Sequence, residues 1–333
     1  MKKKKNVLQY GIGPIGAKIT NFILDRENIN IVGAVDIDPK KIGRDLGEVA
    51  GLNKKLGVTV SGNIEEELSR PNIDVVVLTT ASSLDKIKPQ LSEIIAHRLN
   101  VVSTCEELTY PWKTDPSFSN EIDKAAKMNK VSVLSTGVNP GFLMDFLPSA
   151  LTAVCKDVET VLVERIQNAQ FRRIPFQRKI GAGLTPAEFQ KKIEDGSLRH
   201  VGLTESMHMI AGKLGWELDK TEDIIEPVIA EEKTAAGEIV IEEGNALGVK
   251  QTGRGFSKGN EIITLNFIAA VGQSSPRDRI FIKGTPDIDM TIKDGVNGDI
   301  ATCAITVNAI EAVMHAEPGL RTMIDNPIVG WRG

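Results

Sequence analysis

Residues 6–24 read NVLQYGIGPIGAKITNFIL: a short apolar run, a glycine-rich turn and a stretch with helical spacing, in immediate succession. Val7, Leu8 and Tyr10 stand within the first five positions, and apolar residues then fall three and four apart at Ile19, Phe22 and Ile23, so the order is strand, turn, helix. Gly11, Gly13 and Gly16 form a G-x-G-x-x-G between them. Each glycine serves a separate mechanical need, with a tight turn at Gly11, close approach of backbone to a pyrophosphate at Gly13 and helix packing at Gly16. Pro14 and Ile15 then open a helix whose N-terminus faces the phosphates. The next strand, INIVGAVD, closes on Asp36, 20 residues after Gly16. A carboxylate at that offset accepts hydrogen bonds from the adenine-ribose hydroxyls.

Working outward, IDVVVLTT, NVVSTC and VSVLSTG read as further strands, with helical SLDKIKPQLSEIIAHR and FSNEIDKAAKMN between them. This alternation predicts an α/β fold, a Rossmann-type doubly wound parallel sheet over residues 1–140 that binds NAD(P). After Asn139-Pro140-Gly141 the texture changes to longer β-rich runs, ETVLVERIQNAQF, EIVIEEGNALGVKQTG, EIITLNFIAAVG and DRIFIKG, with one helical insertion at PAEFQKKIEDG. Residues 141–300 are therefore expected to form an α+β substrate and dimerisation domain on a mainly antiparallel sheet. Residues 301–333 are expected to form a C-terminal helix and tail that return to the first domain.

The chain has 333 residues, 41% apolar and 25% charged, with formal charge −4. That balance is globular and argues against a nucleic-acid surface, which needs clustered positive charge. No stretch approaches the ~20 apolar residues of a membrane span. The basic run Lys2–Lys5 lacks an adjoining apolar region and reads as a solvated tail. Three widely spaced cysteines and four histidines without HExxH spacing predict a cytoplasmic protein with neither disulfides nor a metal.

In open parallel sheets, ligands bind beyond the carboxyl ends of the strands. Asp36 favours NAD, because a carboxylate repels the extra phosphate of NADP, while Lys40, Lys41 and Arg44 offer a phosphate clamp that lets NADP be tolerated. The turn Thr79–Ser83 brings Thr80, Ala81 and Ser82 to the cofactor, or caps a helix at Ser82 or Ser83. The strand VVSTC ends in Glu106 and Glu107. In strand geometry at most one of the two faces the crevice, or both simply start the next loop or helix, where acids suit the macrodipole. A carboxylate there is a general base or the counter-ion of a cationic substrate, which suits amine oxidation through an iminium better than alcohol oxidation. Asn139 stands at another strand end, within reach of nicotinamide or substrate, or is a plain turn residue. On the substrate side, FRRIPFQRK offers Arg173 and Arg178, with Arg172 facing the opposite way in an extended chain. His200 can orient a substrate or be structural. Asn297 and Thr302, around the start of the last helix, can present donors to an anion or serve as caps.

Together, YGIGPIG, STCEELTYP, STGVNPGFLMDFLP at 135–148, QRKIGAGLTPAEF at 177–189 and GTPDIDMTIKDGVNGDIATCAITVNAI at 284–310 resemble the 2,4-diaminopentanoate dehydrogenases and related native amine dehydrogenases. The first domain also resembles that of the dihydrodipicolinate reductases, whose adjacent His-His pair is missing here. The resemblance implies oxidative deamination of (2R,4S)-2,4-diaminopentanoate at C4 to 2-amino-4-oxopentanoate and ammonia, with reductive amination of a ketone as the reverse. It also implies that a glutamate of STCEEL activates water or ammonia. Two rivals stand beside this expectation: an imine reductase of similar architecture, and a non-catalytic dinucleotide-binding protein. A homodimer is expected, built by pairing of the β-rich second domains.

Overall fold

The computed structural model describes residues 4–332. Lys2 and Lys3 of the basic run lie outside the described residues. Lys5 is not part of a solvated tail, because it already pairs in the first strand. The chain runs β1 (Lys5–Tyr10), α1 (Pro14–Leu24), β2 (Ile29–Val35), α2 (Leu46–Val49), β3 (Val60–Ser61), α3 (Ile64–Leu68), β4 (Val75–Leu78), α4 (Leu84–Ala96), β5 (Asn100–Ser103), α5 (Pro116–Asn129) and β6 (Ser132–Ser135). There follow α6 (Phe146–Leu151), β7 (Asp157–Asn168), α7 (Ile174–Lys179), α8 (Pro186–Glu194), α9 (Leu203–Leu214), β8 (Lys220–Ile229), β9 (Thr234–Ala236) and β10 (Ile239–Ile241). The last elements are β11 (Ala246–Ser257), β12 (Asn260–Ala270), β13 (Arg277–Thr285), β14 (Ile288–Lys293), α10 (Gly298–Met314) and β15 (Gly319–Arg321). Two compact units result, residues 1–142 with 297–333, and residues 143–296. Among the described residues no helix is long and apolar enough to cross a membrane.

In the first unit seven parallel strands take the order β15-β6-β5-β4-β1-β2-β3. All four residues of β4 are buried, which fits a strand covered on both faces and explains its unbroken Val/Leu run. On one face Ile87, Leu91 and Ile94 of α4 and Phe118 and Ile122 of α5 pack with Val76, Val101 and Val133. On the other face α10 packs on α1 and against β4, β5 and β6. The strand order reverses direction between β1 and β4, and the crevice beyond that switch point is where such sheets bind ligands.

The second unit carries a six-stranded sheet, β14-β13-β7-β12-β11-β8. All its neighbours are antiparallel except the parallel pair β7 and β12. Helix α9 lies close on β11: a Cβ at Gly253 would come within 3.1 Å of Leu203 and 3.3 Å of Met207. Gly253 of TGRG thus gives a helix room against a strand. The opposite face, with Leu162, Glu164, Thr264, Asn266, Arg279 and Phe281, is only half buried.

The helical insertion expected at PAEFQKKIEDG is α8, closed by a capping box in which Thr185 and Glu188 bond reciprocally. Two further helices, α7 and α9, flank it. The run EIVIEEGNALGVKQTG is not one strand: Gly244, at φ +82, breaks it into β10 and β11. FRRIPFQRK is not extended either, since Pro175 sets the first turn of α7.

Candidate functional site

The glycine turn is braced from beneath. Gln9 Nε2 donates to Gly11 O and to Thr79 Oγ1, both at 2.9 Å, and Thr79 Oγ1 donates to Gly11 O at 2.7 Å. Gly11 has φ +90, and a Cβ there would sit 2.9 Å from Thr79. A Cβ at Gly16 would fall 2.1 Å from Gly11 O. At Gly13 a Cβ would meet nothing within 4 Å, so the space beside the turn is open. No side chain caps the N-terminus of α1, and its first N–H groups are left for an anion. These features fit a dinucleotide: open space beside Gly13, an uncapped helix, and Asp36 one strand away.

Asp36 is buried at the end of β2. Its Oδ2 accepts from Ile12 N at 2.8 Å and from Lys41 Nζ at 2.9 Å, and its Oδ1 accepts from Asp38 N at 2.9 Å. Burial acts to raise its pKa, but the hydrogen bonds from Lys41, Asp38 and Ile12 outweigh it and hold the carboxyl below its ordinary value. Across the switch point, the hydroxyl of Thr80 donates to Gln90 Oε1 at 2.6 Å, and Ser82 O accepts from Glu107 N. Ala81 packs on the apolar core. Ser83 occupies the N-cap position of α4, yet its hydroxyl makes no capping bond.

That cap comes from Glu107, whose Oε2 accepts from Leu84 N at 2.8 Å. The two glutamates do not continue β5. They lie in a 3-10 turn, Glu106–Leu108, so strand alternation does not govern them. Glu107 is engaged at the start of a helix, where a carboxylate suits the macrodipole. The Glu106 side chain is half buried and hydrogen-bonds to no side chain or backbone group among the described residues. The preceding thiol, Cys105, is pushed up to about 12 by burial and by the neighbouring carboxylates.

Asn139 is buried in the turn after β6. In the same turn Thr136, which sequence reasoning passes over, has a buried hydroxyl without a partner. Its only signal is its place after the strand VSVLS. Asn297 and Thr302 are engaged within their own unit. Asn297 Oδ1 accepts from Asp299 N and Ile300 N to cap α10, and Thr302 Oγ1 accepts from Val138 N at 3.3 Å. A cleft lined by Lys5, Arg26, Asn308, Glu311 and Arg332 opens at the N-terminal ends of β1 and β2, the edge opposite the glycine turn.

The remaining candidates belong to the second unit. Arg173 and Arg178 are exposed at the two ends of α7, and the Arg172 guanidinium stacks over Phe176 at 4.2 Å. His200 stacks on Phe267, ring centroids 4.6 Å apart, and its Nε2 is inaccessible and unpartnered. Burial, reinforced by Lys179, Arg165 and Arg199, pushes the imidazole down to about 3, so it is neutral near pH 7. With Lys179, Arg199 and Phe176 it lines a cavity of about 50 Å³. Sequence reasoning also misses Arg165, which is fully buried and donates to Asp278 Oδ1 at 2.8 Å and to Val296 O at 3.0 Å. The sequence does carry a signal for it: Arg165 shares the inward face of β7 with Val161 and Val163.

The family model for the N-terminus of dihydrodipicolinate reductase matches residues 6–105. That for the C-terminal domain of 2,4-diaminopentanoate dehydrogenase matches residues 142–330. The chain is 31% identical to the 2,4-diaminopentanoate dehydrogenase of Acetoanaerobium sticklandii, with 98% of this chain and 94% of that protein covered. It is 23% identical to an amine dehydrogenase of Streptomyces virginiae, covering 96% and 95%. The solved amine dehydrogenase of Mycobacterium smegmatis superposes with a TM-score of 0.85 at 25% identity, covering 99% and 98%. By the domain match over more than half its length and the identity along nearly all of it, the chain belongs to the 2,4-diaminopentanoate dehydrogenase family.

Proposed function

We propose that the protein is an NAD(P)-dependent amine dehydrogenase that deaminates 2,4-diaminopentanoate to 2-amino-4-oxopentanoate and ammonia, and that runs in reverse as a reductive aminase of ketones. The observation that carries this reading is Glu106: a half-buried carboxylate without a hydrogen-bond partner among the described residues, at the carboxyl edge of the sheet whose switch point holds the glycine turn. The Gly11–Gly16 turn, Asp36, the Thr80–Ser82 turn and Asn139 would hold the dinucleotide. When bound, the cofactor supplies the hydride acceptor for oxidation and the donor for reduction.

Glu106 does the proton work. It takes a proton from the substrate ammonium, because only a neutral amine can release hydride from its carbon. That proton passes to solvent, which the half-buried side chain can reach, and the restored carboxylate stabilises the iminium that forms and accepts a proton from the water that attacks the iminium carbon. Collapse of the resulting carbinolamine returns that proton to the departing nitrogen and leaves the ketone. Glu107 acts as the cap of α4 and not as a second base. An amino-acid substrate also needs a cation for its carboxylate, and Arg173 and Arg178 are the second unit's candidates for that contact, whereas the neutral His200 could only orient the substrate.

The same reading makes the protein a cytoplasmic homodimer. Its three cysteines are free, and the half-buried face of the second unit's sheet suits a second copy. Arg277 and Arg279 pair there with Glu164, and Arg279 also pairs with Asp289, which makes the face charge-balanced. Strands spaced ~4.8 Å apart and rising ~3.3 Å per residue give it on the order of 800 Å², the share one partner contributes to a standard interface. The activity is tested by following NADH and NADPH absorbance over a panel of 2,4-diaminopentanoate, short amines and keto compounds, with and without ammonia. Turnover with the diamine supports the reading. Silence across the whole panel defeats it, as does turnover of a cyclic imine alone.

A further inference from the structure

An ionised carboxylate offers about four lone-pair positions, two on each oxygen. In Asp36 three are taken: both on Oδ2, by Ile12 N and Lys41 Nζ, and one on Oδ1, by Asp38 N. A ribose carrying free 2′ and 3′ hydroxyls is gripped best by one acceptor position on each oxygen. Only Oδ1 still has one while Lys41 is in place. The two backbone donors belong to the glycine turn and to the chain leaving β2, so they cannot be withdrawn without unfolding the turn. The Lys41 ammonium can move, because it stands on a flexible stem with the side chain a quarter exposed. Its other contact, to Asp38 Oδ2, is long at 3.9 Å. Lys40 and Arg44 are exposed close by, and neither is paired with a carboxylate among the described residues.

We propose that Lys41 sets the choice between the two nicotinamide dinucleotides. Paired with Asp36, it fills the Oδ2 position that a 2′,3′-diol requires and so opposes NAD. Turned toward the crevice, it meets a 2′-phosphate and cancels the repulsion that Asp36 alone would exert, and so admits NADP. The ion pair is broken for either ligand, but only the phosphorylated one returns a charge-assisted bond to the ammonium. This rests on the reading that the glycine turn binds a dinucleotide. A cation outside the glycine signature, and not Asp36 alone, then decides which dinucleotide binds.

The test is direct binding of NAD⁺ and NADP⁺, by calorimetry, to the wild-type chain and to Lys41→Gln and Lys41→Arg. In Lys41→Gln the Kd for NADP⁺ should rise at least tenfold, while that for NAD⁺ stays level or falls a few-fold. Lys41→Arg should keep NADP⁺ within a few-fold of wild type. On the unaltered protein, raising KCl from 50 to 500 mM should weaken NADP⁺ more than NAD⁺, and this check does not depend on any variant folding. Equal losses for both ligands in Lys41→Gln, a larger loss for NAD⁺, or identical salt dependence in the wild type would overturn the proposal. Wild-type protein that binds neither ligand would instead remove the dinucleotide reading beneath it.

Discussion

Adjacent glutamates with opposite roles should separate cleanly on substitution. Among the described residues Glu107 supplies the only side-chain cap to the 13-residue helix α4, through a 2.8 Å bond to Leu84 N. Losing a capping acceptor costs about 0.5–2 kcal/mol, and losing a negative charge at a helix N-terminus costs about 0.3–1 kcal/mol more. Glu107→Ala forfeits both and should destabilise the protein by roughly 1–3 kcal/mol. Glu107→Gln keeps an acceptor oxygen and should cost about half as much. At about 2–4 °C per kcal/mol for a unit of this size, the alanine variant should melt ~2–12 °C lower, with kcat reduced only slightly at 25 °C. Glu106 has no partner to lose, so Glu106→Gln should melt within about 0.5 kcal/mol of wild type. Its kcat should nevertheless fall by ~10²–10⁴, the usual worth of a general base. Differential scanning fluorimetry and initial-rate NADH kinetics on the same preparations decide the matter. If Glu107→Gln abolishes turnover at unchanged stability while Glu106→Gln stays active, the assignment is reversed and the reasoning from hydrogen-bond partnering fails.

Three further outcomes are expected from the same structure. The His200 imidazole, held at about 3 by burial against ~6.5 in an unfolded chain, binds protons preferentially when unfolded. Stability should therefore be complete above pH 6.5 and decline toward pH 3 by at most about 1.4 kcal/mol per unit, and His200→Phe should flatten that decline in urea melts at pH 4–7. A Cβ at Gly13 meets nothing, so Gly13→Ala should melt like wild type yet bind NAD⁺ more weakly by calorimetry; Gly16→Ala, 2.1 Å from Gly11 O, should lose roughly 1–3 kcal/mol. Asp278→Ala strands the buried Arg165 guanidinium and should cost about 3–5 kcal/mol in a denaturant titration, whereas Arg165→Met with Asp278→Leu should lose clearly less.

The parts of this fold that are legible in the sequence are those encoded over short spans. The glycine spacing, the strand–helix alternation and the acidic residue at the end of β2 all lie within one βαβ unit, where periodicity and backbone freedom suffice. Helix α9 is legible as well, since Leu203, Met207 and Ile210 stand four and three apart, a signal that a single helical insertion overlooks. Strand β8 hides behind Pro227, which lacks an amide hydrogen; at the edge of the sheet, where β8 lies, that lack is tolerated. Partnering is a different matter, because it is set by residues far apart in the chain. Gln9 reaches Thr79 across 70 positions and Glu107 reaches Leu84 across 23, and neither pairing leaves a mark on local composition.

The glutamate pair shows what that limit does to a functional assignment. Residue type and place, a strand end in a parallel sheet, point to carboxylate chemistry before any coordinates are known. Which carboxylate is available depends on where the backbone of α4 begins, because an uncapped helix N-terminus takes the nearest acceptor it can reach. Ser83 stands in the cap position but makes no such bond, so Leu84 N is satisfied by Glu107. Its neighbour, turned elsewhere by the 3-10 geometry, is left without one. The division of labour at Glu106 and Glu107 is thus a consequence of how a helix is capped. It follows that Ser83, were its own hydroxyl to cap α4, would release Glu107 and leave two adjacent carboxylates of one 3-10 turn to compete for the same substrate nitrogen.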